Sequence, residues 1–251
     1  MTPIEISILS ASAFVTSALT AVVGAGGGTA LIVIMLMFMP PAAAIPVHGA
    51  VQLASNVTRV WLLWHYMSWP IIFRFALLMP FGVAIGLWLF QGLPTEVIQV
   101  LIGTFVLLSL TARRLGRWRD KDVPLWAFYP IGFLTGVLNM IVGVIAPILG
   151  VLIIRRDLSK EAMVGTLGFF GLFGNLLKIV GFTLIGFSFA EYGLAIACMI
   201  PAAVIGAKVG RSVLAKLDEA YFLLAFRAVL IVLATKLIVV DGIGGLVAGP
   251  A

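Results

Sequence analysis

Two short polar motifs interrupt apolar sequence and lie 119 residues apart. Asn56 precedes Arg59 in the first motif, and Asn175 precedes Lys178 in the second. Residues three apart lie on the same face of a helix, so each motif presents an amide beside a cation. Charged side chains within a membrane are costly and mark binding sites or pathways. Because amide and cationic donors both hydrogen-bond negative oxygens, the motifs predict a binding site for an anion.

The first motif is part of a longer polar stripe along one predicted helix. Steps of about one helical turn give four polar side chains on one face: His48, Gln52, Asn56 and Arg59. This face must point at protein or at a water-filled cavity, because polar groups facing lipid are unfavourable. Hydrogen bonding between helices, with Arg59 reaching the cytoplasmic interface, is the alternative, and the same interfacial explanation applies to Lys178. The length of the stripe and its partial repetition favour a cavity.

Glycine-rich breaks are the second element of the predicted site. Gly26, Gly27 and Gly28 lie where a long apolar segment stops and a short one begins. Glycine lets the backbone approach a ligand closely, and the free N–H groups at a helix start attract anions. Gly143 lies at the matching break in the second half and is followed by a proline that suits a first helical turn. Close packing of helices through Gly24 and Gly28 is the alternative explanation.

Composition decides the class of protein. The chain of 251 residues is 62% hydrophobic and 10% charged, whereas a soluble domain carries roughly 25% charged residues. At ~20 residues per helix there is room for about eight membrane spans plus short segments. No Lys or Arg precedes the first apolar segment, which we therefore expect to be a retained helix and not a signal peptide. The net charge of +6 is explained by loop cations in a membrane protein, so nucleic acid is not an expected partner.

The apolar segments follow one order in both halves: a long helix, a glycine break, a short helix and three more helices. The first-half segments are Ile4–Val23, Thr29–Met39, Ala42–Tyr66, Pro70–Phe90 and Thr95–Leu110. The second-half segments are Val123–Val142, Ile148–Ile154, Glu161–Phe182, Ala190–Val213 and Tyr221–Val240. We therefore predict a first transmembrane repeat at 1–112, a basic cytoplasmic linker at 113–122 and a second repeat at 123–251.

The loop charges predict how the two repeats are oriented. If each short segment is a return crossing, the linker, the loops at 155–160 and 211–216 and the turn by His65 and Arg74 all fall on one face. The opposite face then has no loop Lys or Arg, so the basic face is cytoplasmic. Both termini then lie outside, and Arg59 and Lys178 lie towards opposite sides of the cavity. Five crossings per half make the repeats inverted. Eleven residues of helix reach only about 16 Å, so the short segments must be re-entrant or broken. The predicted fold is an all-α polytopic membrane protein with two inverted repeats, in the inner (plasma) membrane.

These motifs resemble a known family. Gly24-Ala25-Gly26-Gly27-Gly28, a short apolar run, prolines and a helix ending in Ser55-Asn56-x-x-Arg59 are similar to the TauE/SafE sulfite exporter family, and 132–178 is similar to its second repeat. The resemblance implies an integral membrane protein that moves sulfite, sulfonates or related sulfur-containing anions. The family's first glycine motif maps onto Gly24, Gly26, Gly27 and Gly28. The second repeat here reads Gly143-Val-Ile-Ala-Pro147 in place of a comparable glycine cluster.

The sequence therefore predicts a secondary transporter that exports small sulfur-containing anions by alternating access, with its site between the repeats. An anion channel, or an uptake carrier for another small solute, is the alternative. An enzyme is not predicted, because the chain has no paired acids, metal cluster or nucleophile–base arrangement at a membrane face. No cofactor or metal is expected. The expected partners are the anion and the lipid bilayer, and the oligomeric state is left open, a homo-oligomer included.

Overall fold

A computed structural model describes residues 1–23, 26–117, 122–144, 146–213 and 219–248. Within these ranges the chain is helical and contains no strand. The first half contains α1 Pro3–Val23, α2 Gly27–Met35, α3 Pro41–Leu63, α4 Trp69–Gly92 and α5 Thr95–Arg117. The second half contains α6 Phe128–Ile141, α7 Ala146–Leu152, α8 Lys160–Leu184, α9 Gly193–Val213, α10 Glu219–Lys236 and α11 Gly245–Ala248. A π-helical segment, Leu237–Gly244, joins α10 to α11.

The predicted order of segments is present in both halves. Helix α2 has nine residues, two fewer than its apolar run, and α7 has seven, as many as its run; they correspond to about 13 Å and 10 Å of helix. Helix α2 begins at Gly27, after Gly26 with a φ of 109°. A positive φ is readily accessible to glycine, which explains why the break between α1 and α2 falls here. Pro147 is the second residue of α7, where a missing N–H costs no hydrogen bond.

Long apolar helices confirm the class of protein. Among the described residues, five helical stretches are long and apolar enough to cross a membrane: Pro3–Thr20, Trp69–Gly92, Lys160–Leu184, Phe189–Val209 and Arg227–Val247. Large apolar side chains remain exposed on the outside of these helices, as Phe73, Phe81 and Trp88 do on α4. Exposed apolar surface of this kind suits contact with lipid. The protein is an all-α, multi-pass membrane protein.

The outer helices pack in pairs through glycine. A Cβ at Gly82 of α4 would lie 2.0 Å from the carbonyl oxygen of Phe133 in α6, and a Cβ at Gly132 would lie 2.0 Å from that of Phe75. The backbones of α4 and α6 therefore touch, as in other small-residue contacts between membrane helices. Helices α1 and α9 make the matching contact, with Gly206 against the Phe14 carbonyl.

Helices α1 to α5 of the first half correspond in order to α6 to α10 of the second half. The main contacts between the halves remain the same when each helix is exchanged for its counterpart. The α1–α9 contact corresponds to α6–α4, α4–α8 corresponds to α9–α3, and α5–α7 corresponds to α10–α2. The α3–α8 and α5–α10 contacts each correspond to themselves. A two-fold relation between the halves would produce this pattern. The orientation of the halves in the membrane does not follow from it, so their inversion stays a prediction, as does the division at 112 and 123.

Of the predicted cytoplasmic basic segments, the loop between α7 and α8 is described in full. Its Arg155 pairs with Asp157, Nε to Oδ1, at 2.8 Å and also donates to the Val123 carbonyl. The hydrogen bond from Arg155 holds the pKa of Asp157 below its usual value. These contacts attach the loop to the chain just before α6. Positions 118–121 of the predicted linker and 214–216 of the other basic loop lie outside the described residues.

Candidate functional site

A cavity of about 80 Å³ lies where α3 and α8 meet the two helix breaks. It has room for several water molecules or a small polyatomic anion. Helix α2 and the first half of α3 are buried at its side, with Leu31, Ile32 and Ile45 fully inaccessible. Eight of the predicted site residues line it: Gly26, Gly28, His48, Gln52, Asn56, Arg59, Gly143 and Asn175.

The remaining two predicted residues lie beside the cavity and do not line it. A Cβ at Gly27 would lie 1.9 Å from the Thr16 carbonyl oxygen, so this glycine packs against α1, as the alternative explanation of the glycine break requires. Lys178 is 0% exposed. The interfacial explanation for Lys178 is therefore wrong, because the side chain stays in the interior.

The two faces of α3 explain why its polar stripe points inwards. His48 is 2% and Asn56 9% exposed, whereas Trp61, on another face, is 80% exposed. The polar stripe of α3 therefore points into the protein, with His48 and Gln52 beside α2 and the Asn56 amide beside α8, whereas Trp61 points outwards. Burial of polar groups is favourable only with partners or water. A polar cavity at the α3–α8 contact supplies the space for that water or for a ligand.

Arg59 has no hydrogen-bond or ion-pair partner among the described residues. Its stem packs against α8, where a Cβ at Gly168 would lie 2.9 Å from the Arg59 Cδ. No Asp or Glu occurs among the described residues that line the cavity. An uncompensated guanidinium at low dielectric is costly, and an anion in the cavity would relieve that cost.

Two amides on α3 add further donors to the cavity. Neither Gln52 nor Asn56 has a described hydrogen-bond partner, and both line the cavity. A Cβ at Gly28 would lie 2.3 Å from the Gln52 Nε2, and one at Gly171 would lie 2.6 Å from the Asn56 Nδ2. Glycine in α2 and α8 therefore makes room for both amide groups.

His48 connects α3 to the start of α2. Its Nε2 lies 2.9 Å from the Gly28 carbonyl oxygen. A carbonyl only accepts, so Nε2 carries the hydrogen and donates it. This bond gives His48 a structural role. The ring also lines the cavity, so a role in binding remains compatible with its position.

Sequence reasoning missed several lining residues, of which Asn139 of α6 is the most informative. It is 5% exposed, and its Nδ2 donates to the Gly174 carbonyl of α8 at 3.0 Å. Its counterpart at the 119-residue spacing is Thr20, which also lines the cavity, but the two side chains differ in type, so the repeat alone does not mark either of them. Four further pairs of lining residues have the same spacing: His48 and Leu167, Gln52 and Gly171, Ser55 and Gly174, and Asn56 and Asn175.

Comparison with known proteins identifies a family. The family model described as Sulfite exporter TauE/SafE matches residues 9–237. That range contains all the described cavity-lining residues. No curated protein and no solved structure matches the chain.

Proposed function

Since this chain belongs to the TauE/SafE sulfite exporter family, and is therefore a membrane transporter of sulfite or related anions, we propose that it binds a small sulfur-containing anion in the cavity between its halves. Sulfite and simple sulfonates are the proposed substrates. Their negative oxygens would accept hydrogen bonds from Arg59 and from the amides of Gln52 and Asn56. Helix α2, which begins at the cavity, would add its N-terminal dipole.

The observation that carries this proposal is that Arg59 has no partner among the described residues. A guanidinium presents five donors in one plane, a geometry that matches two oxygens of an oxyanion. The neighbouring amides have no described partners either, so their donors are available to a ligand. No described carboxylate lines the cavity to compete for them. The set of free donors therefore favours an anion over a neutral solute.

The proposed mechanism is alternating access between two inverted repeats in the cytoplasmic membrane. Its support is the two-fold pattern of helix contacts and the five pairs of lining residues, which place equivalent positions around one cavity. Rocking of one half against the other would open such a cavity to each side in turn. In this proposal both termini lie outside the cell.

We propose export as the direction of transport. A monovalent anion leaving a cell with a negative interior gains about 2.3 kcal/mol per 100 mV, so export needs no coupling ion. The loss of hydration on entering the site would be offset by the fixed donors of the cavity.

Flux in liposomes tests the proposed function. The purified protein should release trapped sulfite faster when the compartment that holds the sulfite is made electrically negative, and flux should saturate and show counterflow. A carrier shows both behaviours, whereas a channel does not show counterflow. Liposomes without protein give the background leak. Absence of protein-dependent flux for sulfite and for sulfonates would exclude the proposed substrate class.

A further inference from the structure

Lys178 is a buried cation of the second half and the sequence counterpart of Arg59. It is 0% exposed, and its Nζ donates to the Gly143 carbonyl at 2.6 Å and to the Asn175 Oδ1 at 3.3 Å. Its stem lies against α3, where a Cβ at Gly49 would be 2.9 Å from the Lys178 Cδ. Lys178 therefore contacts the second break, its own helix and the opposite half at once.

The bond to Asn175 determines which way that amide points. An ammonium has donors only, so the amide atom facing Lys178 is the oxygen. The NH₂ group of Asn175 then points away from Lys178. This NH₂ group has no described hydrogen-bond partner, and its Nδ2 atom is not fully buried. Asn175 also lines the cavity. The amide thus offers its N–H donors to the cavity.

The bond to Gly143 holds the second helix break. Gly143 has a φ of 81°, a backbone conformation that glycine adopts without strain. Its carbonyl accepts from Lys178. A single ammonium therefore connects the end of α6 to α8, directly behind the cavity wall that Gly143 and Asn175 form.

We propose that Lys178 is a positioning residue of the anion site: it holds the Asn175 oxygen so that the Asn175 N–H groups face the anion. This role rests on the proposed function of the cavity. It differs from that of Arg59, whose donors have no described partner and are available to the anion itself. The two cations that match in sequence thus have different tasks, one binding and one orienting.

A cycle of variants tests the role through Asn175. Asn175→Ala removes the amide donors and should raise the KM for sulfite flux about tenfold, the loss expected for one hydrogen bond to a charged group. Lys178→Met keeps an unbranched side chain only one atom shorter and removes its donors, and it should raise the KM to a similar extent. In the Asn175→Ala background, Lys178→Met should change the KM less than about twofold, because the amide that it orients is gone.

Two further variants complete the test: Lys160→Met is the control, and Gly49→Ala is a second way to displace the Lys178 side chain. Lys160→Met changes an exposed lysine on the same helix and should leave the KM unchanged. Gly49→Ala keeps every charge but forces the Lys178 stem to move, so it should raise the KM only where Asn175 is present. If Lys178→Met does not fold, judged by size-exclusion chromatography, Gly49→Ala decides the question alone.

Either of two results would overturn the positioning role of Lys178. The first is an unchanged KM in Lys178→Met or Gly49→Ala. The second is a rise in KM in either variant that multiplies with the rise caused by Asn175→Ala. Thermal stabilisation of the wild type by sulfite, measured beside flux, separates the two proposals. If the wild type neither binds nor transports sulfite, the proposed function fails and the positioning role fails with it. If the wild type is active and the effects multiply, only the positioning role fails.

Discussion

At the scale of single residues, side chains at equivalent positions of the two halves have different surroundings. Arg59 and Lys178 occupy the same place in the two halves, yet Arg59 lines the cavity without a described partner and Lys178 is enclosed with two. The difference arises from what faces each side chain. Lys178 reaches the buried carbonyl of Gly143 and its own Asn175, whereas Arg59 faces the cavity. One charge is therefore available to a ligand and the other is used within the protein.

Replacement of Arg59 tests the binding charge. Arg59→Gln should lower kcat/KM for sulfite flux at least tenfold, because a charged hydrogen bond contributes roughly 1.5–3 kcal/mol. Initial rates in liposomes measure it. Arg227→Gln, at an exposed position of α10, is the matched control and should retain activity. Normal kinetics in Arg59→Gln would show that the guanidinium does not contact the anion.

Replacement of Gly28 tests whether space in the cavity matters. The methyl group of Gly28→Ala would collide with the flexible amide of Gln52, which should swing into the cavity. We expect the KM for sulfite to rise severalfold while the free energy of unfolding falls by about 1 kcal/mol or less. Gly150→Ala in α7 is the control, since its Cβ would make only an ordinary contact 3.8 Å from Leu167. Equal KM values in the two variants would contradict the placement of the site at Gly28.

At the scale of elements, packing decides what the short helices can do. Isolated helices of nine or seven residues are unstable in water, so α2 and α7 depend on their surroundings. Helix α2 is almost wholly enclosed, with Leu31, Ile32 and Val33 at 0% exposure. His48 adds a hydrogen bond to its first turn. The break between α1 and α2 is therefore held in place by α3, the helix that also carries the polar stripe.

Close contact between α4 and α6 predicts a stability effect separate from binding. Gly82→Ala would set a methyl group against the Phe133 carbonyl, which is backbone and cannot turn away. We expect a loss of about 1–3 kcal/mol from the resulting separation of the helices, measured as a lower Tm in detergent. Gly92→Ala, at the end of the same helix with no atom within 4 Å, should leave the Tm nearly unchanged. Similar Tm values for both variants would mean that the helices separate at little cost.

At the scale of the whole molecule, two halves of similar order surround one cavity. Exchange of the halves preserves the main helix contacts, and five pairs of lining residues keep the 119-residue spacing. Positions near the axis of a two-fold relation meet in space although they are distant in sequence. A site shared by both halves follows from that geometry.

Inversion of the repeats makes a prediction about equivalent turns. The α3–α4 turn should face the cytoplasm and the α8–α9 turn should face outside. In a Cys198→Ala background, Tyr66→Cys should react with an impermeant thiol reagent only from the cytoplasmic side, and Ser188→Cys only from outside. Both positions are exposed in the structure. Labelling of both from one side would show that the repeats are parallel.

Hydrophobicity and periodicity in the sequence determined the membrane class, the order of the helices and the inward face of α3. These are local properties, because a helix depends on residues within a few turns of one another and a polar stripe must avoid lipid. The tertiary structure alone decided that Gly27 packs against α1, that Asn139 joins the cavity and that Lys178 bonds Gly143 and Asn175. Such partners depend on how closely helices from distant parts of the chain approach. Gly49 and Gly168 allow α3 and α8 to approach closely. The periodicity of one helix does not predict which side chain of another helix will fill the space beside such a glycine.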